Sequence, residues 1–193
     1  MRIGIIGAGW LGGTVGKVLC KAGHEVLFSS RNPKKHEDLA SRLGERASAG
    51  SLHDAATFGD VVVVALPERG LENLDDEVRE ALIGKVVLDA CNPKSIADYA
   101  PGARVVRVFS AVDATAIEAS YEDAEANRGS RLGVPLAADD QEALEMAIQL
   151  VLDAGCDPVV VGPLADAGRF ARGAPGFRVY SDAATLRRRL HLG

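Results

Sequence analysis

Two rhythms of apolar and polar positions alternate along this chain. Short β-branched runs bounded by glycine, proline or charge read as buried strands: RIGIIG, EVLFS, DVVVVALP, KVVLDACNP, ARVVRVFSAV and DPVVVGP, with RASAG and RLGVPLAA as weaker members. Between them lie segments of helical period. Leu11, Val15, Val18, Leu19 and Ala22 share one face before Gly23, and Leu39 and Leu43 line a second helix closed by Gly44. LENLDDEVREALIG predicts a third, and Leu144, Ala147, Ile148, Val151 and Leu152 a fourth, with Asp139 and Glu142 as its capping pair and Gly155 as its stop. EASYEDAEANRGS is polar and predicts a surface loop or an irregular helix. Strands alternating with helices, and strands apolar on both faces, predict an α/β, Rossmann-like, doubly wound and mostly parallel sheet with helices on both faces.

A chain of 193 residues gives a single domain over 1–193, in which 163–193 is a C-terminal segment packing on the domain or on a partner subunit. A net charge of −5 argues against nonspecific nucleic-acid binding. No apolar run spans a bilayer, and the glycine-rich start is not a signal peptide. Cys20, Cys91 and Cys156 have neither zinc nor disulfide spacing, which makes a reduced, cytoplasmic setting the default expectation.

GAGWLGG follows the first strand and opens a helix, so Gly7, Gly9 and Gly12 have the context that gives G-x-G-x-x-G its meaning. Gly7 permits the turn, Gly9 lets the backbone approach a pyrophosphate, and Gly12 lets helix and strand pack, with the phosphates on the free amides around Trp10 and Leu11. Trp10 either covers the pyrophosphate or packs the helix. Gly13 and Gly16 serve helix packing.

FSSRNPKK then holds a contradiction. Asn32 is a good N-cap and Pro33 a good first helical residue, yet Arg31, Lys34 and Lys35 crowd cations at the positive end of a helix dipole. An NAD-binding protein places an acidic residue here for the ribose 2′-hydroxyl, and none occurs from Val26 to His36. Ser29, Ser30, Arg31 and Lys35 suit a 2′-phosphate instead, so NADP(H) is the expected cofactor. Ala65-Leu66-Pro67, Cys91-Asn92 and Ser110 end the remaining strands and should line the same crevice. Asn92 either bonds the nicotinamide half or caps a turn, and Cys91 reads as a buried structural thiol. His24, His36, His53 and His191 fall at helix ends or surfaces, which predicts solvation. No catalytic residue and no metal site is legible. That absence suits hydride transfer between two heteroaromatic rings, which needs alignment and exclusion of water more than an acid or base.

RIGIIGAGWLGGTVGKVLCKAGHEVLFSSRNP, DVVVVALP, VVLDACNP, VVRVFSAV and DPVVVGPLADAGRF together resemble the family of NADPH-dependent coenzyme F(420) reductases. The cytosolic reductase domains of transmembrane ferric reductases are similar. The resemblance implies hydride transfer between NADP(H) and a deazaflavin, coenzyme F(420), or a flavin as small-molecule acceptor, in a homodimer. The chain departs from the family at Phe109-Ser110, where F-N is usual, and at Leu66-Pro67-Glu68, where V-P-W is frequent. The alternatives are a non-catalytic NADP-binding regulatory protein and a reductase for free flavin or a small carbonyl compound. Phe170, Phe177, Tyr180, Leu186 and Leu190 in the tail are expected to seek a partner surface.

Overall fold

The computed structural model describes residues 1–30, 32 and 34–193. Among these residues eight strands form one sheet: β1 (Arg2–Ile6), β2 (Glu25–Ser29), β3 (Ala47–Gly50), β4 (Val61–Val64), β5 (Val86–Asp89), β6 (Arg104–Arg107), β7 (Gly133–Ala138) and β8 (Asp157–Gly162). Their order is β3-β2-β1-β4-β5-β6-β7-β8. The strands from β1 to β6 are parallel, β7 runs antiparallel to β6, and β8 is parallel to β7. The order reverses at β1, so the crevice of this Rossmann-like fold opens beyond the carboxyl ends of β1 and β4, beside the glycine loop.

The central strands are apolar throughout because both faces are buried, and Val61–Val64 has no exposed position at all. Alternate residues feed two cores. Ile3, Ile5, Val63, Leu88 and Val106 meet α1 (Trp10–Lys21), α6 (Ala114–Glu125) and α7 (Gln141–Asp153) on one face. Ile6, Val62, Val64 and Val87 meet α3 (Leu52–Phe58), α4 (Glu68–Glu72) and α5 (Asp76–Ala81) on the other. The short helix α2 (Lys34–Leu43) covers the β2–β3 edge. Gly16 lets α1 approach the sheet, since a Cβ there would lie 2.4 Å from the Phe28 ring.

Two expectations need correction, and two open alternatives are decided. LENLDDEVREALIG is not one helix: α4 and α5 are separated at Asn73–Asp75, and α4 begins at Glu68. EASYEDAEANRGS is largely helical, because Ile117, Ser120 and Tyr121 place one buried face on α6. The cap of α7 is Asp140, whose carboxylate accepts the Ala143 amide at 2.8 Å, while Asp139 accepts the Leu164 amide. The apolar tail takes the first of its two expected alternatives and packs on its own domain. Phe170, Leu186 and Leu190 are buried within the chain, packed with Val159 and Val161 of β8 by a 3-10 stretch (Leu164–Phe170) and α8 (Ala183–Arg189). Tyr180 alone is left exposed, and its hydroxyl donates to Asp113.

Candidate functional site

The phosphate end is built by β1, β2 and α1. Gly7 turns the chain with φ +92°, which only glycine adopts freely, and a Cβ there would lie 2.5 Å from the Ala65 carbonyl oxygen. The amides of Gly7 and Ala8 both donate to the Ser29 carbonyl, at 3.2 and 2.9 Å, pinning the loop to β2. Gly9 is the N-cap of α1 and offers no side-chain acceptor. The first amides of α1, from Trp10, Leu11 and Gly12, therefore open the helix without a side-chain cap, as an anion requires. A Cβ on Gly9 would meet nothing within 4 Å, whereas one on Gly12 would lie 2.3 Å from the Gly7 carbonyl oxygen. Gly12 is thus filled by the protein and Gly9 faces open space that a ligand can occupy. This is the fit expected for a pyrophosphate. Trp10 is 70% exposed, so it does not pack the helix and stands free at the rim.

Ser29 must be removed from the ligand-facing set. Its side chain is fully buried, and its hydroxyl donates to the Ile5 carbonyl at 2.7 Å. Ser30 carries the turn instead: its hydroxyl donates to the Asn32 carbonyl at 2.9 Å and accepts the Asn32 amide. Ser30 borders three adjoining cavities. One, of about 370 Å³, reaches Gly9, Asn32, Lys35 and His36. A second, of about 540 Å³, is lined by Gly7, Leu66, Pro67, Arg69 and Asn73. The third reaches Ser51, Leu52, His53 and Asp75. Arg31 and Pro33 lie outside the described residues, so the expected Arg31 contact does too.

The other end is built by β4, β5 and β6. The Ala65 amide donates to the Ile6 carbonyl, and Pro67 starts α4. Cys91 is buried, its thiol lies 3.4 Å from the Val64 carbonyl, and burial with the nearby Asp89 carboxylate pushes its pKa far upward. It is a structural thiol. Asn92 precedes a cis peptide bond to Pro93, and its Nδ2 donates to the Ser110 carbonyl at 3.1 Å. Its Oδ1 is buried with no hydrogen-bond partner among the described residues. Such an acceptor normally finds a donor. Ser110 contributes its carbonyl oxygen, delivered by the turn at Phe109, a buried residue held at φ +62°.

Two groups escaped the reading of the sequence. Asp89 is fully buried, and its Oδ2 accepts Arg107 Nη1 at 2.6 Å and the Ser95 hydroxyl at 2.6 Å, while its Oδ1 accepts the Cys91 amide at 3.0 Å. Arg107 also donates to the Lys94 carbonyl at 3.0 Å. One ion pair therefore bolts down Cys91–Ser95, and Asn92 with it. The signal was a charge inside each of two apolar strands, VVLDA and VVRVF. The second group joins the tail to the loop after β6. The Arg178 amide donates to the Ala111 carbonyl, and Asp113 receives Arg178 Nη2 at 2.8 Å together with the Tyr180 hydroxyl. Nothing in the sequence marks that meeting. His24, expected to be solvated, is buried against Asp153 Oδ2 at 3.0 Å and the N-terminal amine.

The sheet order and the glycine loop are those of the Rossmann-type dinucleotide-binding fold. Residues 2–93 match the family model for NADP oxidoreductases, coenzyme F420-dependent. The resemblance read from the motifs is borne out over this part of the chain. The metalloreductase STEAP3 of Rattus norvegicus is 27% identical over 179 residues, covering 86% of this chain but 35% of the rat protein. The F420-dependent NADP reductase of Methanothermobacter thermautotrophicus is 27% identical over 176 residues, covering 78% of this chain and 75% of that protein. The crystal structure of a hypothetical protein, SMa0349, from Sinorhizobium meliloti superimposes with a TM-score of 0.76 at 27% identity, covering 94% of each chain. This chain thus spans about a third of the rat protein's length. No helix among the described residues is long and apolar enough to cross a membrane.

Proposed function

We propose that this protein transfers hydride between NADP(H) and a deazaflavin or flavin acceptor. The observation that carries the reading is the buried, unpartnered Oδ1 of Asn92 at the crevice end opposite the phosphate loop. An anion site at one end and an orphan acceptor at the other suit a whole dinucleotide rather than a mononucleotide. The nicotinamide, when bound, supplies the hydride chemistry. The chain supplies the rest. The α1 amides hold the pyrophosphate, and Ser30 and Lys35 receive the 2′-phosphate. Asn92 orients the nicotinamide half, and the Asp89–Arg107 pair keeps Asn92 in place. The likeness to an F420-dependent NADP reductase supports a deazaflavin as the acceptor.

One observation favours a second reading, reduction of a small carbonyl compound. The Tyr180 hydroxyl, on Asp113 and beside Arg178, sits against the loop that follows β6, and carbonyl reduction requires a proton donor near the hydride. Stopped-flow oxidation of NADPH against F420, FMN, FAD, ferric chelates and simple aldehydes separates the readings. Rapid transfer to F420 or a flavin is the expected result. Turnover of aldehydes alone, lost in Tyr180→Phe, selects the second reading. Binding of NADPH without transfer to any acceptor would leave a non-catalytic NADP-binding protein.

A further inference from the structure

The smallest of the three cavities has a wall that motif reading does not anticipate. On one side are Gly9 and Ser30, on the other Asn32 and, in the first turn of α2, Lys35 and His36. His36 is half buried there, whereas Lys34 and Lys35 are exposed. We infer that His36 is a second determinant of NADP selectivity, binding the 2′-phosphate and taking up a proton from solvent as that phosphate enters. The inference rests on the reading of this crevice as an NADP site.

The chemistry follows from what surrounds the ring. In the free protein burial, and after it the positive charge of Lys35, holds the His36 pKa below its ordinary 6.5. The imidazole is therefore mainly neutral at pH 7.5. Lys35 and His36 are the ionisable groups that border the cavity among the described residues, because the glycine loop, Ser30 and Asn32 do not titrate there. On α2 itself stand Lys34, Glu37, Asp38 and Arg42. The elements packed on α2 are β3, which has no ionisable residue, β2 with Glu25, and α1 with Lys17, Cys20 and Lys21. Of all these charges Lys35 is the one that depresses His36. A phosphate dianion between Lys35 and His36 opposes both causes at once. It neutralises the repulsion and offers the imidazolium a charge-assisted hydrogen bond. The bound-state pKa rises, so the protonated form binds more tightly. NADPH affinity then falls as pH rises through that bound-state value. The phosphate's own ionisation, near pH 6, lies below the window.

The test is titration calorimetry at pH 7.5 in Tris and in HEPES, whose different ionisation heats report proton uptake. The wild-type protein should take up roughly half a proton on binding NADPH and none on binding NADH. His36→Gln keeps an N–H donor but cannot ionise. It should take up no proton, bind NADPH on the order of 3–10-fold more weakly, and leave NADH affinity unchanged. Its melting temperature should match that of the wild type. NADPH binding without proton uptake in the wild type, or with equal uptake in His36→Gln, overturns the inference alone. Failure of the wild type to bind NADPH overturns the parent reading as well.

Discussion

Replacing Gly9 and Gly12 in turn separates a glycine that serves a ligand from one that serves the fold. Gly9 sits at φ −73° and ψ −156°, an extended conformation open to any residue, and a Cβ there touches nothing within 4 Å. Gly9→Val should therefore change stability by no more than about 1 kcal/mol, with the lower backbone entropy of the unfolded chain offsetting the poorer N-cap. In the ligand-bound state its branches occupy the approach to the α1 amides. Loss of that contact should weaken both NADPH and NADH at least ~100-fold, about 2.8 kcal/mol. Gly12→Ala does the reverse. Its Cβ would stand 2.3 Å from the Gly7 carbonyl oxygen and 3.0 Å from the Ala65 Cβ, so backbone must move. Overpacking of this kind costs about 1–3 kcal/mol, or roughly 2–12 °C in melting temperature for a domain of this size. Thermal melts and calorimetry on both variants check the pair. If folded Gly9→Val binds NADPH within threefold of wild type, the glycine loop is only a turn. If it melts far below Gly12→Ala, the accounting of space is wrong.

Further outcomes follow from the buried and paired charges. Arg107→Met leaves Asp89 without its ion partner and should cost about 3–5 kcal/mol by urea denaturation, partly recovered in the Asp89→Leu/Arg107→Met double variant. Where Arg107→Met stays folded, hydride transfer should fall more than NADPH affinity, because Asn92 loses its support. Asp140 is held down to about 2 from 3.8, first by its hydrogen bond to Arg104. Its contribution is present above pH ~4 and is lost as pH falls toward 2, so Asp140→Asn should flatten melting temperature against pH in that interval. Burial raises the pKa of all three cysteines, that of Cys156 to about 12, so Ellman's reagent at pH 8 should label none in the native protein and all three in denaturant.

How much of this was legible depends on the distance over which each feature is encoded. The glycine loop, the crossover to β2 and the strand ends at Pro67 and Pro93 follow from neighbours within a few residues, and they were readable. Helix α3 had its signal in Ser51 and Asp54, which form a reciprocal capping box, yet its seven residues are too few to show a period. The split between α4 and α5 was hidden because LENLDDEVREALIG keeps helical spacing of apolar residues across Asn73–Asp75. Ser29 was misassigned because side-chain direction alternates along a strand, and one step decides whether a hydroxyl faces the ligand or the neighbouring strand. The Asp113–Arg178–Tyr180 meeting joins residues 67 apart through the packing of β7 and β8, and no local pattern encodes that. The burial of the tail likewise depends on β7 running antiparallel to β6, which leaves the β7–β8 extension with a bare apolar face for Phe170, Leu186 and Leu190.

The fastening of the loop after β6 by Arg178 and Tyr180 bears on the order in which the protein comes into being. As the chain emerges during synthesis, β1, α1, β2, β4 and β5 are complete once Pro93 is available, so the phosphate end can form early. The loop at Ala111–Asp113 acquires its ties only when residues 178–180 arrive. At about 5–20 residues per second the gap between the two events is roughly 4–17 s. During that interval a nascent chain has the glycine loop without the ties at Ala111–Asp113, and the open edge of β6 awaits β7. On the proposed reading, NADPH would meet the phosphate end first and the Asn92 end later, so cofactor would favour folding through the half that is made first.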